Sequence, residues 1–423
     1  MQSSFAGTHT SIIYNGNSFV TAAERGSSDL GMRDPRVFIT GAGLLAPTGA
    51  SPGCCFQALL EGTTGLGFDN DFGLAVGRLH PDAERLVVAV RERRAARRLD
   101  RTAIMAIAAA EQAAKQAGCP ATTAMGVIVG TSRGAARSLE EYHARFLSER
   151  RSSAGMSPVT TGVTLSSAVA AALKCEGPVF TVSSACQSGL TALGTAMALI
   201  QSGQAEQFIA GGAESCLTAF TLGSLNKLGL LSHSRAQYPL QPGEPDRDGT
   251  VLAEGAALFV LESQAALQER GATPLAEIVA FAQSSEASTL TGISAEAEAL
   301  QGCLRNILSH GMPDLVIGHL PGTVAGDDAE MRAYRRTLCG SVLIAGLKWS
   351  TGHMLGASPG FSVAMALECM QRGLVPRMPC ATAGNLIPGA AGPHVSRPVD
   401  SVLVAGTGFG GNAAAMLLRG IQG

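Results

Sequence analysis

Aromatic side chains are scarce in this chain: one Trp, four Tyr and 14 Phe make up 4% of 423 residues. That composition argues against a loose aromatic core, and the dominance of Ala and Gly favours closely packed helices and sheets. Charge is sparse too, at 15% of residues, with a formal net charge of −2. Such a balance gives no global electrostatic attraction to nucleic acid or to an anionic membrane. No Cys-x-x-Cys pair occurs among the ten cysteines, and the one close pair is Cys54–Cys55. A zinc framework or disulfide scaffold is therefore not expected. Scattered cysteines of this kind read as reduced, mostly buried thiols in a cytoplasmic protein. The N-terminus lacks a basic region followed by an apolar stretch, so no secretory signal is expected.

One stretch, Gly177 to Ala205, has no charged residue. It also holds Ser183, Ser184, Gln187, Ser188, Gly189, Gly194, Gln201 and Gly203, which suit a strand and a helix buried inside protein better than a membrane span.

What the chain has is length and apolar material. With 46% hydrophobic residues, it can build two or three average domains or one large α/β unit. Residues 1–35 are polar, Ser/Gly/Thr-rich and aperiodic, and read as a disordered leader. Order is expected from Arg36, where VFITGAG reads as a buried strand. Residues 100–118 form a strong helix with a glycine stop. Further strands are expected at 125–130, 177–182, 207–215, 255–263 and 275–283, with helices at 166–173 and from the SSACQSG turn to about Gln201. A second series follows: helices at 294–309, 326–338 and 357–372, and strands at 315–319, 402–406 and 413–419. The alternation indicates α/β layers, and the similar element order suggests two halves, 36–275 and 276–423.

Three local patterns carry chemistry. Ser183–Ser184–Ala185–Cys186–Gln187–Ser188–Gly189 joins a strand to a helix, which puts Cys186 at a helix N-terminus. The free N–H groups and dipole there favour a thiolate and can bind an oxyanion. The plain alternative is a buried structural cysteine. Gly318–His319–Leu320–Pro321–Gly322–Thr323 follows a strand and precedes Asp327 and Glu330. Lys348–Trp349–Ser350–Thr351–Gly352–His353 precedes a helix. Either histidine alone would usually be structural; the order Cys, His, His in this context is what gives the set its weight.

With these residues, the chain resembles the β-ketoacyl synthase family over about residues 36–420. SACQSG resembles the nucleophile elbow, HLPGTVAGDDAE the first histidine motif, KWSTGHMLGASPG the second, DRDGTVLAEGAA at 246–257 the acidic-glycine signature with Glu254, and GTGFGGNA at 406–413 the C-terminal glycine-rich loop. The resemblance implies an α/β thiolase-like αβαβα layered fold with two pseudo-duplicated halves. It also implies a Cys-His-His condensing enzyme. Cys186 would accept an acyl group from an acyl carrier protein, and neutral His319 and His353 would stabilise the enolate formed when malonyl-carrier protein loses CO2. The Cys186 and Phe409 N–H groups, flanked by Gly408 and Gly410, would hold the oxyanion, with Phe409 as a gate. Lys348 would tune the histidines and the sulfur, with Thr323, Asp327, Glu330 and Glu254 in support. No metal or redox cofactor is implied, since substrates arrive on phosphopantetheine. A two-fold dimer through strands around 177–182 is implied, with an identical or a different ketosynthase-like partner.

Several positions depart from the family pattern. Leu320–Pro321 replaces the usual Gly-Thr, removing one hydroxyl and stiffening the loop. Pro-Phe-Asp becomes Glu244–Pro245–Asp246, the glycine before Glu254 is Ala253, and Trp349 stands where a small Ser is common and is expected to narrow or reshape the pocket. These changes point to a specialised fatty-acid, polyene or polyketide pathway. A basic run (Arg91, Arg93, Arg94, Arg97, Arg98, Arg101) reads either as a solvated face or as a docking patch for an acidic carrier, with Arg91, Arg94, Arg97 and Arg98 as its candidates. A thiolase is disfavoured because 406–413 lacks cysteine, and a Cys-His-Asn enzyme because His353 fills the third position. The alternative from another class is a non-catalytic, chain-length-factor-like subunit; such subunits tend to lose the cysteine, which is present here.

Overall fold

A computed structural model of the chain describes residues 36–119, 124–287, 290, 292–379 and 394–421; the expected leader at 1–35 lies outside them. Ten strands build the main sheet: β1 (Val37–Leu45), β2 (Gly126–Gly130), β3 (Val179–Val182), β4 (Gln207–Glu214), β5 (Gly255–Ser263), β6 (Ala276–Ser285), β7 (Leu315–Ile317), β8 (Leu343–Ala345), β9 (Ser401–Gly408) and β10 (Asn412–Gly420). Their order is β8-β7-β9-β10-β6-β1-β5-β4-β2-β3. Strands β3, β2 and β4 run parallel, then β5 and β1 alternate antiparallel. The other half repeats this pattern with β8, β7 and β9 parallel, then β10 and β6 antiparallel. The halves join where Val37, Phe38 and Ile39 of β1 pair with Ile278, Glu277 and Ala276 of β6.

Strands β1 and β5 are buried at every position, which is why they read as continuous apolar runs: helices cover both faces. Six helices do most of this covering: α1 (Arg101–Ala117), α2 (Thr164–Leu173), α3 (Ser188–Gln201), α4 (Glu298–Leu308), α5 (Val324–Thr337) and α6 (Ser358–Arg372). Helices α1 and α2 pack on the outside of the first half, and α4 and α5 on the outside of the second. Helices α3 and α6 lie between the half-sheets, where Leu190, Leu193, Phe361 and Val363 meet Ile39, Phe259, Val402 and Val404. The result is five layers, αβαβα. Each layer contact removes apolar surface from water at about 25 cal/mol per Å2.

Local chemistry sets these elements. Asp100 caps α1 by accepting the Thr102 N–H at 2.7 Å, and Gly118 ends it in the left-handed region at φ 59°. The alanine-rich face of α1 approaches β1 so closely that a Cβ on Gly43 would lie 1.9 Å from the Ala109 carbonyl oxygen. The expected helix at 294–309 starts at Glu298, because Ala297 before it sits at φ 48°. Helices at Pro52–Leu60, Pro81–Arg91, Ala136–Glu149 and Ala219–Lys227 were not anticipated. Strand β3, the expected subunit interface, is an edge strand and leaves Phe180 44% exposed. Among the described residues, no helix is long and apolar enough to cross a membrane.

Candidate active site

Both histidines and the cysteine follow the C-terminal ends of parallel strands, where α/β sheets tend to place ligands. Between β3 and α3 the chain turns sharply through Ala185, a non-glycine residue at φ 53°. The Ser188 hydroxyl holds this elbow, donating to the Ala185 carbonyl at 2.6 Å and accepting the Ser184 N–H at 2.9 Å. Cys186 at its tip is 9% exposed. The turn carrying His353 meets the elbow because the contact is built from glycine: a Cβ on Gly189 would lie 2.7 Å, and one on Gly212 2.3 Å, from the Gly356 carbonyl oxygen.

His319 follows β7 and His353 follows the short helical turn Lys348–Thr351. Their rings stand edge to face, 4.9 Å between centroids and 79° between planes. One nitrogen of each ring and the Cys186 sulfur lie within 4.8 Å of one another. Residues more than a hundred positions apart along the chain thus share one point in space.

Each imidazole has a fixed second nitrogen. Lys348 Nζ lies 3.4 Å from His319 Nδ1 and also donates to the His319 carbonyl. An ammonium only donates, so Nδ1 accepts and Nε2 keeps its proton. His353 Nδ1 meets the Ser358 hydroxyl at 3.0 Å, and with that hydroxyl donating, its Nε2 is likewise an N–H donor. Burial, reinforced by Lys348, pushes both histidines well below their ordinary range, so both rings are neutral at neutral pH. Burial also lowers Lys348 to about 8, against the pull of Glu330 and the Cys186 sulfur.

The sulfur departs from the sequence expectation. Burial pushes the Cys186 thiol up to about 12, although Lys348 and Arg133 pull it down and only Glu214 adds to the rise. The helix end does not by itself hold a thiolate here, because a buried site penalises the charged form more than the nearby cations favour it. Cys186 rests as a thiol.

The cavity over these groups has a volume of about 300 Å3 and is walled by Leu225, Leu230, Leu252, Leu355, Phe409 and Pro321 among others. Gly408 and Thr323 line it as well. The hairpin loop after β9 lies directly against the elbow: a Cβ on Gly408 would sit 3.1 Å from the Cys186 backbone nitrogen. Gly410 turns that loop at φ 81°. Trp349 is not in this wall, which corrects the expectation that it narrows or reshapes the pocket. It follows Lys348 on a helical turn, where successive side chains diverge by about 100°, and it points into the central core. There it is fully buried against Tyr238, with ring centroids 5.9 Å apart.

The supporting carboxylates act on the backbone. Glu330 accepts the His319 N–H at 2.6 Å, the Leu320 N–H at 2.7 Å and the Tyr334 hydroxyl at 2.5 Å. That clamp holds Leu320 at φ 36°, with its side chain fully buried. Asp327 accepts the Gly243 and Gly322 N–H groups at 2.8 and 2.9 Å, and burial raises it to about 7. Glu254 is held by Arg101, with hydrogen bonds of 2.9 and 2.8 Å, and accepts the Ser215 hydroxyl at 3.0 Å.

Within the basic run, Arg101 also pairs with Glu84, and Arg93 with Glu111, so these two are structural. Arg91, Arg94, Arg97 and Arg98 are exposed. The sequence reading missed Glu214 at the end of β4. It is fully buried and accepts from Ser132 N at 2.7 Å, Arg133 N at 3.1 Å, Thr131 Oγ1 at 3.1 Å and Gly356 N at 3.2 Å. Its signal was a carboxylate closing an otherwise apolar strand.

Comparison with known proteins agrees with this geometry. The family profile described as "Beta-ketoacyl synthase, N-terminal domain" matches residues 34–266, and "Beta-ketoacyl synthase, C-terminal domain" matches 275–381. The chain is 30% identical over 414 residues to the actinorhodin polyketide putative beta-ketoacyl synthase 1 of Streptomyces coelicolor, covering 91% of this chain and 88% of that one. It is 29% identical over 423 residues to 3-oxoacyl-[acyl-carrier-protein] synthase 2 of Vibrio cholerae, covering 92% and 100%. A crystal structure of a beta-ketoacyl synthase from Burkholderia phymatum superposes with a TM-score of 0.81 at 26% identity, covering 92% and 100%. The chain belongs to the β-ketoacyl synthase family of thiolase-fold condensing enzymes.

Proposed function

We propose that the protein is a β-ketoacyl-ACP synthase that condenses an acyl group on Cys186 with malonyl-ACP. The observation that carries this reading is the meeting of one thiol and two neutral imidazole N–H donors within 4.8 Å, at the wall of an apolar cavity. In loading, the Cys186 sulfur attacks the acyl-carrier thioester; its proton passes to the departing pantetheine thiol, and acyl-Cys186 forms. In extension, malonyl-carrier loses CO2, and the electron pair of the broken C–C bond becomes an enolate whose oxygen accepts from His319 and His353. The enolate carbon attacks acyl-Cys186, and the oxyanion of that step sits at the Cys186 and Phe409 N–H groups. The C–S bond breaks, the β-ketoacyl-carrier leaves, and one proton restores the thiol. Two oriented donors in a dry site are worth about 3–4 kcal/mol each to such charge. No metal or redox cofactor takes part, so chelator treatment leaves turnover unchanged.

Around this chemistry, Lys348 sets the His319 tautomer, while Glu330 and Asp327 hold the histidine loop. Thr323, which lines the cavity, is the candidate contact for the pantetheine arm. Exposed Arg91, Arg94, Arg97 and Arg98 are the candidate contact for an acidic carrier protein. Edge strand β3 is the candidate dimer interface, with an identical or a ketosynthase-like partner, in the cytoplasm. Loss of the usual Gly-Thr at Leu320–Pro321 favours a specialised fatty-acid, polyene or polyketide substrate.

The test is condensation of malonyl-carrier protein with a panel of acyl donors. Formation of a β-ketoacyl-carrier supports the reading. The absence of both CO2 release and Cys186 acylation would transfer the protein to the non-catalytic, chain-length-factor-like class.

A further inference from the structure

Among the described residues lining the Cys186 cavity, Arg133 is the one permanently charged side chain, set among Leu225, Leu230, Leu252 and Leu355. Its position is built rather than accidental. Its backbone N–H donates to Glu214 at 3.1 Å, the neighbouring Ser132 N–H to the same carboxylate at 2.7 Å, and the Gly134 N–H to Thr131 Oγ1 at 3.0 Å. The loop follows β2, the strand that occupies in the first half the place β7 holds in the second. Arg133 therefore reaches the shared cavity from the position that corresponds to the histidine loop. Its guanidinium has no hydrogen bond or ion pair with any described residue, although Arg78, Arg93, Arg101, Arg247 and Arg270 are each paired. The guanidinium is also near enough to the Cys186 sulfur to favour its ionised form.

Arg133 stands at the exposed rim of the cavity, so an alkyl chain passing it displaces part of its water and returns no hydrogen bond. A chain carrying an acceptor oxygen would replace that water with a charge-assisted hydrogen bond, and a carboxylate can do so with two. We propose that Arg133 is a specificity-determining residue that selects acyl groups bearing an acceptor oxygen beyond the thioester, with a carboxylate-ended chain the best fit. This rests on the condensing-enzyme reading and goes beyond it in naming the acyl class.

The experiment follows acylation of Cys186 by mass spectrometry in the full chain, without malonyl extender. Three eight-carbon acyl pantetheine thioesters are compared: plain alkyl, ω-keto and ω-carboxylate. The unmodified protein should load the carboxylate-ended chain faster than the alkyl chain by about tenfold to a hundredfold in kcat/KM, with the ketone between. Arg133→Leu should reverse that order, and Arg133→Lys should keep it. Ratios are the readout, so any change in thiol reactivity common to all three donors cancels. Should Arg133→Leu fail to fold, Arg133→Gln keeps a polar side chain and removes the charge, and must lose the carboxylate preference. A flat or alkyl-favouring ratio in the unmodified protein, or one unchanged by removing the charge, overturns the inference alone. No loading by any of the three overturns the condensing-enzyme reading and this inference with it.

Discussion

Lys348 Nζ stands 3.4 Å from His319 Nδ1 and is buried with it. A cation in that place does two things. It makes Nδ1 an acceptor, which leaves Nε2–H as a donor, and it adds to the burial that keeps the ring neutral. An imidazole that must donate to a growing enolate needs both.

His319→Ala and His353→Ala should each lower malonyl decarboxylation by about 10^2 to 10^3, the usual cost of losing one oxyanion donor. Acylation of Cys186 should survive both. Lys348→Met should fall between, because Nδ1 loses its donor and the tautomer is no longer fixed. Separate measurements of CO2 release and of acyl-enzyme formation check this.

Glu330 takes three donors that have no other partner: the His319 and Leu320 N–H groups and the Tyr334 hydroxyl. Glu330→Ala strands them in the interior at about 1–3 kcal/mol each, so it should unfold at lower denaturant as well as lose activity. Tyr334→Phe removes one partner and leaves the clamp, and should cost about 1 kcal/mol. Urea unfolding midpoints of the two variants should differ by several-fold in their displacement.

Leu320 poses two opposing effects. Its φ of 36° is a conformation glycine adopts freely, and a non-glycine residue there costs about 1–2 kcal/mol. Its side chain is fully buried beside Ala329 and Tyr334, and removing a buried leucine costs about 2–5 kcal/mol. Burial outweighs strain, so Leu320→Gly should be destabilised on balance, by roughly 1–3 kcal/mol. A stabilised Leu320→Gly would show that this side chain contributes less packing than its burial implies.

Glu214 is raised to about 7 by burial, against the hydrogen bonds it accepts from Ser132, Arg133, Gly356 and Thr131. A carboxyl whose folded value lies above its unfolded one binds more protons when folded, so folding loses stability as pH rises from about 4.5 to 7. Asp327, also raised to about 7, works in the same direction. His319 and His353, held well below their ordinary range, titrate in the opposite sense over much of that window, so the prediction is for the variant: the stability of Glu214→Gln relative to the unmodified protein should rise as pH goes from about 4.5 to 7. A difference that stays constant with pH across that range would contradict the assignment.

Much of this was legible in the sequence. Strands β1 and β5 announced themselves as unbroken apolar runs because both of their faces are covered, and α1 carries its own cap and stop at Asp100 and Gly118. Cys186, His319 and His353, which meet at the cavity, were visible because each sits in a short local pattern after a strand or a helical turn. What stayed hidden depends on long-range packing. Glu214 looks like any strand-terminal acid until the Ser132 and Gly356 amides close on it. Trp349 looked like a pocket residue until the helical turn aimed it into the core, and the Cys186 thiol follows burial, which no local motif records. Arg101 and Arg93 looked equivalent to their neighbours in the basic run, and only tertiary carboxylates set them apart.

The most direct measurement is peptide mapping of the protein after incubation with a carrier-bound acyl thioester, beside a Cys186→Ala control. The account predicts one acyl adduct, on the peptide containing Cys186, formed before any malonyl is added and discharged as β-ketoacyl-carrier once malonyl-carrier is supplied. An adduct on another cysteine, or an acyl-Cys186 that malonyl-carrier does not discharge, would contradict it.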